Sequence, residues 1–292
     1  MTARSLLFVP GDSDKKLAKS DGVPADILIL DLEDSVAAGQ KAAARVRVRE
    51  FLVARPVRTG AALWVRINPI DGAEALADLA AVAEARPDGI VQPKTRSADD
   101  VLRLAQHLDA FEVRHGLEAG RIRILPVATE TPEAIFSLGG FSRCGPRLYG
   151  LTWGAEDLSA AVGATANRQA DGTWTQPYQL ARSLCLFGAS AAGVAAIDTL
   201  HADMRDEQGL RASCAEAVRD GFTGKLAIHP DQVGVINECF LPSAEQVAHA
   251  TRVVALFREN PGVAALALDG QMLDLPHLRR AEKTLARAVR PR

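Results

Sequence analysis

Three carboxylates follow an apolar run near the start of the chain. Residues 28–36 read LILDLEDSV, so Asp31, Glu33 and Asp34 come directly after side chains typical of a protein interior. The run is short and contains β-branched residues, which favours a buried strand over a helix. Clustered carboxylates repel one another and are costly to desolvate unless water, a cation or hydrogen-bond donors meet them. The segment therefore predicts either a site lined by a cation or donors, or a strand that runs into solvent before a helix N-cap.

Eight short apolar, β-branched segments recur along the chain, and Ala/Leu-rich stretches with helical spacing separate them. This alternation predicts right-handed βαβ units and a parallel sheet. Eight repeats match an α/β fold of the closed (β/α)8 barrel type better than an open doubly wound sheet, and no Gly-x-Gly-x-x-Gly motif follows any segment. The predicted strands span residues 5–11, 27–34, 63–69, 89–94, 123–130, 147–154, 193–198 and 224–230.

The C-terminal part of the chain has a different pattern. We assign residues 1–242 to the barrel and residues 243–292 to a C-terminal helix plus a lid segment. In ALALDGQMLDLPHLRRAE, the Asp-Gly pair between apolar runs predicts a hairpin, and Pro276 suits the first turn of a closing helix. Asp274 lies between these two features, where a helix N-cap is its structural interpretation.

Polar side chains end nearly every predicted strand. In a (β/α)8 barrel the active site lies at the carboxyl ends of the strands. Asp34 and Asp198 could be N-caps of the following helices, but Arg66, Lys94 and Glu130 are not capping residue types. Acids and bases gathered at one rim predict an enzyme. The strand-end residues are Asp31, Glu33, Asp34, Arg66, Asn68, Gln92, Lys94, Glu130, Glu156, Asp157, Asp198 and His229.

Composition excludes several classes of protein. A net charge of −2 without a basic block argues against nucleic acid as a partner. The four cysteines are scattered with no Cys-x-x-Cys pair, which argues against a zinc site or a disulfide framework and predicts a reduced, cytoplasmic location. No apolar stretch approaches the ~20 residues of a membrane span, and the N-terminus does not have the pattern of a signal peptide.

At this point a family resemblance becomes visible. In order along essentially the whole chain, the sequence resembles the citrate lyase β-subunit / malyl-CoA lyase family. The resemblance implies a TIM barrel, a Mg²⁺ cofactor with Mn²⁺ as a substitute, and reversible Claisen-type cleavage of 3-hydroxyacyl thioesters whose hydroxyl carbon also bears a carboxylate. The matching stretches are RSLLFVPGDSDKKLAKS, DILILDLEDSVAAGQKAAAR, VRIN, QPKT, ATETPEAI, WGAEDLSAAVGA, AAIDTLHADMRDEQGL, GFTGKLAIHPDQV and DGQMLDLPHLRRAE.

The resemblance also implies partners and an assembly. The products are an acyl-CoA, or an acyl-carrier thioester, and a 2-oxoacid such as glyoxylate, pyruvate or oxaloacetate, and coenzyme A is part of the substrate. Homotrimers or hexamers are usual in the family.

The family assigns roles to four residues of this chain. Glu130 of ATETPEA and Asp157 of GAEDL correspond to the two metal ligands, which suits Mg²⁺ because it accepts a few carboxylates and keeps positions for water and substrate. Arg66 of VRIN lies beside the thioester carbonyl and the oxoacid in the family. Asp274 corresponds to the catalytic acid/base, which the C-terminal lid commonly delivers to a neighbouring subunit. The alternative for Glu130 and Asp157 is a paired-acid rim without a metal.

Further residues are candidates for the same site. Glu33 and Asp34 are expected to orient Arg66 and the waters around the metal. Lys94 has an ordinary surface lysine as its alternative, and His229 a structural histidine beside Pro230. The candidates for binding substrate or CoA are Arg4, Arg66, Lys94, Gly154, Ala155, Glu156, Lys225 and His229.

One long connection and three functions remain open. Residues 163–178, GATANRQADGTWTQPY, form a long excursion after the sixth strand and are expected to be a lid or substrate-selecting loop, with disorder or a crystal-contact loop as the alternative. The main function hypothesis is a Mg²⁺-dependent carbon–carbon lyase acting on a malyl-, citramalyl- or citryl-type thioester. The alternatives are a malyl-CoA thioesterase on the same site, or a citrate lyase β subunit that works only with an acyl carrier protein and other subunits.

Overall fold

The computed structural model describes residues 3–288. Eight of its strands form one parallel sheet, and the predicted (β/α)8 barrel is confirmed. The strands are β1 Ser5–Pro10, β2 Ile27–Asp31, β3 Ala62–Arg66, β4 Gly89–Gln92, β5 Arg123–Pro126, β6 Gly150–Thr152, β7 Ala195–Asp198 and β8 Gly224–Ala227. The order is β5-β4-β3-β2-β1-β8-β7-β6. Isolated parallel bridges, Ile124 with Leu148 and Val127 with Thr152, bring the two edge strands β5 and β6 together.

Helices follow the strands, as βαβ units require. In the barrel the helices are α1 Asp14–Ser20, α2 Lys41–Val53, α3 Ala75–Val82, α4 Ala98–Arg114, α5 Pro132–Ile135, α6 Glu156–Val162, α7 Gln176–Ala191, α8 Glu207–Asp220 and α9 Pro230–Cys239. Short 3-10 helical segments lie at Ala38–Gln40, Ala83–Ala85 and Leu138–Arg147.

Alternate residues of the strands fill the barrel interior, because successive side chains of a strand point to opposite faces. One layer of this interior is tight: a Cβ atom on Gly89 would lie 2.5 Å from the indole of Trp64. Glycine is therefore required opposite this tryptophan. The interior cluster contains Leu6, Ile27, Ile29, Trp64, Val91, Leu125, Val127, Ala195, Ile197 and Leu226.

All eight strands are shorter than predicted, and the early ends of β2 and β5 place several of the polar residues. The second strand was expected to run to residue 34 but ends at Asp31, and the fifth ends at Pro126 rather than at residue 130. The Asp31 carboxylate accepts hydrogen bonds from the backbone N–H groups of Glu33 and Ser35, which turns the chain out of the sheet. The following carboxylates therefore lie on strand-end loops.

Two compact units make up the chain, and the first one ends at Asn237. The predicted boundary at residue 242 stays a prediction about domains. The second unit contains α10 Ala244–Glu259, the antiparallel strands β9 Ala265–Leu268 and β10 Gln271–Asp274, and α11 Leu275–Ala288.

The predicted hairpin and closing helix are present in the second unit. Asp269 and Gly270 both have positive φ, 49° and 78°, as a two-residue type I′ turn demands. Pro276 is the second residue of α11. Leu273 packs with apolar residues of α10 and α11, so the hairpin shares a core with both helices. Among residues 3–288, no helix is long and apolar enough to cross a membrane.

Candidate active site

Arg66 is held in one orientation at the end of β3. Asp31 stands opposite it in the register of β2 and β3. The Asp31 carboxylate accepts from Nε at 2.7 Å and from Nη2 at 2.6 Å, a bidentate pairing that fixes the plane of the guanidinium. Burial would raise the pKa of Asp31, but the Arg66 contacts hold it below its usual value. Burial would likewise lower the pKa of Arg66, and Asp31 raises it.

Glu33 and Lys94 extend this ion pair. A Glu33 carboxylate oxygen lies 3.1 Å from Nη1 of Arg66, and the other accepts a hydrogen bond from the Lys94 ammonium. Burial raises the pKa of Glu33 above its usual value, although Arg66 and Lys94 partly offset it. Asp34 is more exposed, and its contact is with Lys94 at 3.2 Å. The predicted orientation of Arg66 thus comes from Asp31 and Glu33, while Asp34 faces the lysine.

Glu130 and Asp157 approach each other around Lys94. The Lys94 backbone N–H donates to Oε2 of Glu130 at 2.5 Å, and its ammonium lies 3.3 Å from Oδ1 of Asp157. Burial and the charge of Asp157 raise the pKa of Glu130 to about 8. We call these seven residues the rim cluster: Asp31, Glu33, Asp34, Arg66, Lys94, Glu130 and Asp157.

Gly154 gives Glu130 the space it occupies. A Cβ atom at Gly154 would lie 2.9 Å from Cγ and 3.1 Å from Oε1 of Glu130. Thr129 ties the two segments, since its hydroxyl accepts from the Gly154 N–H at 3.1 Å. Ala155 is buried at the N-cap position of α6, directly before Glu156 and Asp157. The end of β6 is therefore built to pass close to the Glu130 carboxylate.

The rim cluster fits a divalent cation. Glu130 is a desolvated carboxylate whose pKa is raised by burial and by the neighbouring charge of Asp157, the situation a bound cation relieves. Over residues 3–288, no group of three or more His, Cys, Asp and Glu side chains has the geometry of a metal site. Glu130 and Asp157 supply two carboxylates, a donor set that Mg²⁺ accepts with water and substrate in its other positions.

A second charged cluster lies on β7 and β8. Asp198 is fully buried and accepts hydrogen bonds from Lys225 Nζ at 2.7 Å and from the indole Nε1 of Trp153 at 2.8 Å. The Nε of Arg182 lies 3.4 Å from it, and Nη1 of the same guanidinium pairs with Asp220. Burial would raise the pKa of Asp198, but Lys225 and Arg182 hold it below its usual value. We call these five residues the Asp198 cluster.

Two predicted CoA-binding residues need correction. Lys225 has no exposed surface, and its ammonium also contacts the Ser213 hydroxyl at 3.0 Å, so it is a buried partner of Asp198. Arg4 precedes β1, at the opposite end of that strand from the rim cluster, and pairs with Asp26 at 2.9 Å. Contacts at the amino ends of barrel strands serve stability. Neither position supports contact with CoA.

The other predicted residues lie near strand ends but outside the rim cluster. His229 directly precedes α9 and its Nδ1 lies 3.4 Å from Asp231. Glu156 is exposed and accepts from Asn167 at 3.0 Å. As for the suggested N-caps, Asp34 pairs with Lys94 and Asp198 with Lys225, and neither side chain caps a described helix.

The excursion after β6 is an ordered turn. Arg168 and Trp174 form an antiparallel bridge, and the guanidinium carbon of Arg168 lies 3.5 Å from the Trp174 ring centroid. Trp174 meets Trp153 edge-on with ring centroids 5.0 Å apart. Asn167 adds the hydrogen bond to Glu156. The segment thus contacts Trp153 and Glu156, which lie on either side of Gly154 in the sequence. Its predicted role as a lid stays a prediction.

Asp274, the predicted acid/base, lies in the second compact unit. It is the last residue of β10, and its Oδ1 lies 2.5 Å from Nδ1 of His277 in the first turn of α11. The same imidazole nitrogen lies 3.3 Å from the Asp274 backbone nitrogen. The hydrogen bond with His277 lowers the pKa of Asp274. Both side chains are partly exposed.

Family models match most of the chain. The model described as HpcH/HpaI aldolase/citrate lyase covers residues 4–230. The chain belongs to this family. A second model, described as a C–C bond lyase of the TIM-barrel fold, covers residues 176–290. The predicted family is confirmed, and the chain is a carbon–carbon lyase.

Named members of the HpcH/HpaI aldolase/citrate lyase family align over nearly the whole chain. The citrate lyase subunit beta-like protein of Mycobacterium tuberculosis H37Rv is 36% identical over 97% of this chain and 94% of its own length. The mitochondrial citramalyl-CoA lyase of Rattus norvegicus is 32% identical over 98% of this chain and 87% of its own. A crystal structure of protein CitE from M. tuberculosis, in complex with magnesium, acetoacetate and coenzyme A, superposes with a TM-score of 0.79 at 36% identity, covering 98% and 97% of the two chains.

Sequence reasoning underestimated one residue of the rim cluster. Asp31 was recognised as a strand-end acid, but Glu33 and Asp34 were preferred as partners of Arg66. The second strand was predicted to run to residue 34, but it ends at Asp31, so Asp31 is the acid that the strand itself directs. The strand register, which puts Asp31 opposite Arg66, decides the pairing.

Proposed function

We propose that the chain cleaves a 3-hydroxy-3-carboxyacyl thioester of the malyl-CoA, citramalyl-CoA or citryl type into an acyl thioester and a 2-oxoacid, with Mg²⁺ as its cofactor. One observation carries the proposal: an arginine oriented by Asp31 lies in the same cluster as two neighbouring carboxylates, the buried Glu130 and the partly exposed Asp157. The magnesium, acetoacetate and coenzyme A bound by the M. tuberculosis relative support this choice of cofactor and substrate class.

Glu130 and Asp157 would hold the cation. Their oxygen donors suit Mg²⁺, and Mn²⁺ would accept the same set. When bound, the cation lowers the pKa of the substrate hydroxyl and orients the 2-oxoacid product. Gly154 leaves the space in which Glu130 reaches the site.

Arg66 would stabilise the charge that develops as the carbon–carbon bond breaks. Cleavage leaves an enolate on the thioester carbonyl oxygen, and fixed donors aimed at such an oxygen are a main source of catalysis. A guanidinium has five N–H donors, and Asp31 engages those on Nε and Nη2. Asp31 does not contact Nη1; among the described residues, the carboxylate that lies next to Nη1 is Glu33, at 3.1 Å. The remaining N–H groups can meet a substrate oxygen without reorienting the side chain.

Asp274 would transfer the proton at the acyl carbon. The hydrogen bond from His277 keeps its pKa low, so the group is a carboxylate at neutral pH, as a base for the condensation direction must be. Delivery of Asp274 by the C-terminal segment to the barrel of a neighbouring subunit is part of this proposal. The proposal also includes a trimer or hexamer and a cytoplasmic location. Lys94, Gly154, Ala155 and His229 remain proposed substrate-binding residues.

The test is a cleavage assay on the purified full-length chain. Malyl-CoA, citramalyl-CoA and citryl-CoA are each incubated with Mg²⁺, with EDTA, and with EDTA followed by excess Mg²⁺. We expect one of them to yield a 2-oxoacid and an acyl-CoA, EDTA to stop the reaction, and Mg²⁺ to restore it. Asp274→Asn should lower the cleavage rate by about 10²–10⁴-fold and leave Mg²⁺ binding, measured by calorimetry, unchanged.

The other functions give different products. Release of free CoA from malyl-CoA would identify a thioesterase on the same site. Turnover that requires an acyl-carrier thioester and partner subunits would identify a citrate lyase β subunit. Absence of turnover with all three thioesters, together with absence of Mg²⁺ binding, would contradict the proposal.

A further inference from the structure

We propose that Lys94 couples cation binding to substrate binding. Its ammonium lowers the affinity of Glu130 and Asp157 for a divalent cation, and the binding of a substrate carboxylate removes this effect. The inference rests on the proposed function, because it concerns the same cation and the same two ligands. It assigns to Lys94 a positioning and coupling role that a surface lysine would not have.

The ammonium of Lys94 touches one proposed ligand directly. It lies 3.3 Å from Oδ1 of Asp157 and also contacts Glu33 and, at 3.2 Å, Asp34. Its side chain is 30% exposed, so solvent screens these contacts only in part. A cation chelated by Asp157 would therefore have a positive charge among its nearest neighbours.

The backbone of the same residue touches the other proposed ligand. The Lys94 N–H donates to Oε2 of Glu130 at 2.5 Å. Lys94 has φ = 50°, in the left-handed region that side chains with a Cβ rarely adopt. Residues held in this region collect at functional sites when the surroundings impose the conformation. Here the two ends of one strained residue contact both carboxylates of the donor pair.

Repulsion and its relief follow from this arrangement. An ammonium and a divalent cation that share Asp157 repel each other, so Lys94 reduces affinity for the cation alone. A 2-oxoacid carboxylate is attracted by both charges and reduces their repulsion when it binds between them. Cation and oxoacid must then favour each other's binding by the same factor, because coupling free energies are reciprocal.

If Lys94 instead organised the site, its removal would change the cation affinity in the opposite direction. If Lys94 acted only to hold Asp157 and Glu33 in place for the cation, its removal would loosen the acids and weaken cation binding. The sign of the affinity change on removing the ammonium therefore distinguishes competition from simple organisation.

The experiment is calorimetric titration of Mg²⁺ into the full-length protein, with and without saturating pyruvate. In the wild type we expect pyruvate to tighten Mg²⁺ binding by about tenfold, within the usual range of coupling between sites. Lys94→Met should bind Mg²⁺ alone about tenfold more tightly, and pyruvate should then add less than about twofold. Lys94→Arg keeps the charge and should keep the coupling.

Two controls make the result specific. Lys94→Gly removes the ammonium and suits the left-handed backbone, so it should fold and reproduce the Lys94→Met result. Lys41→Met removes a nearby positive charge whose ammonium contacts the carbonyl oxygens of Leu32 and Glu33 rather than the ligands. Its effect on Mg²⁺ affinity should stay below about twofold.

The inference would be overturned if Lys94→Met bound Mg²⁺ alone no more tightly than the wild type, if it kept the full effect of pyruvate, or if Lys41→Met gave an equal change. A wild-type protein that bound no Mg²⁺ with or without pyruvate would instead overturn the proposed function.

Discussion

The rim cluster and the Asp198 cluster both gather acids and bases on barrel strands and the segments next to them, but their charges balance differently. In the rim cluster, the cationic side chains that contact the five carboxylates are Arg66 and Lys94, counted over residues 3–288. In the Asp198 cluster, one central carboxylate is met by Lys225, Arg182 and the Trp153 indole. The rim cluster therefore has more carboxylates than cationic side chains, whereas the two are equal in number in the Asp198 cluster.

Their pKa shifts express the same difference. Burial and the neighbouring Asp157 raise the pKa of Glu130 to about 8. Asp198 is buried to a similar degree, yet its cationic partners hold its pKa below the usual value. A buried acid whose pKa is raised and which has a charged neighbour at the mouth of a barrel is a candidate for a functional residue. A buried acid whose charge is fully compensated by cationic partners is a candidate for a structural residue. The comparison predicts that the two clusters fail in different ways when mutated.

The largest expected effect is on catalysis in the rim cluster. Glu130→Gln should lower thioester cleavage by at least about 10³-fold, because the amide loses the charge that binds the cation. The melting temperature near pH 7 should not fall, because glutamine, like the mostly protonated glutamate that a pKa of about 8 gives at this pH, buries no charge next to Asp157. Glu133→Gln, which removes an exposed carboxylate from the first turn of α5, is the matched control and should keep activity within about twofold. A Glu130→Gln protein with full activity would remove the distinction between the clusters.

The next effect is on stability in the Asp198 cluster. Lys225→Met should lower the free energy of unfolding by about 3 kcal/mol, because removing one partner leaves a buried carboxylate short of its compensating charge. Urea denaturation measures the change, and exposed Lys15→Met should shift it by less than about 0.5 kcal/mol. Mg²⁺ affinity of the folded variant should equal that of the wild type. A stable Lys225→Met protein with weakened CoA binding would restore the role first predicted for this lysine.

How much of this could be read from the sequence differs between the clusters. The eight strands and the acids at their ends were visible in the pattern of apolar runs, so the barrel and the location of Glu130 and Asp157 followed. The pairing of Asp31 with Arg66 depends on register between two strands, which no local pattern fixes. Shorter strands than expected also moved Glu33 and Lys94 onto loops, where a bond between them could form.

The two corrected predictions, Lys225 and Arg4, concern where a basic side chain lies on its strand. Leu226 belongs to the barrel interior, so alternation directs the neighbouring Lys225 to the other face of the sheet, towards Ser213 of α8. Arg4 precedes its strand and so belongs to the amino end of the barrel. Both signals were present in the sequence, but each basic residue was judged by its motif and not by its face or end. The partners of a fully buried charge come from distant segments and required the fold.

The smallest expected effect is the pH dependence that Glu130 contributes to stability. Its pKa in the folded protein is about 8, above the value of 4.5 for an unperturbed glutamate, so the folded state holds the proton more tightly. The stabilisation is complete below pH 4.5 and is lost as pH rises through 8. In EDTA, the melting temperature of the wild type should therefore fall between pH 5 and pH 8 by roughly 5 °C more than that of Glu130→Gln. Glu33 also has a raised pKa and acts in the same direction in both proteins, so the difference between the two curves isolates Glu130. Parallel curves would mean that Glu130 is as well compensated as Asp198, and the contrast between the two clusters would then rest on geometry alone.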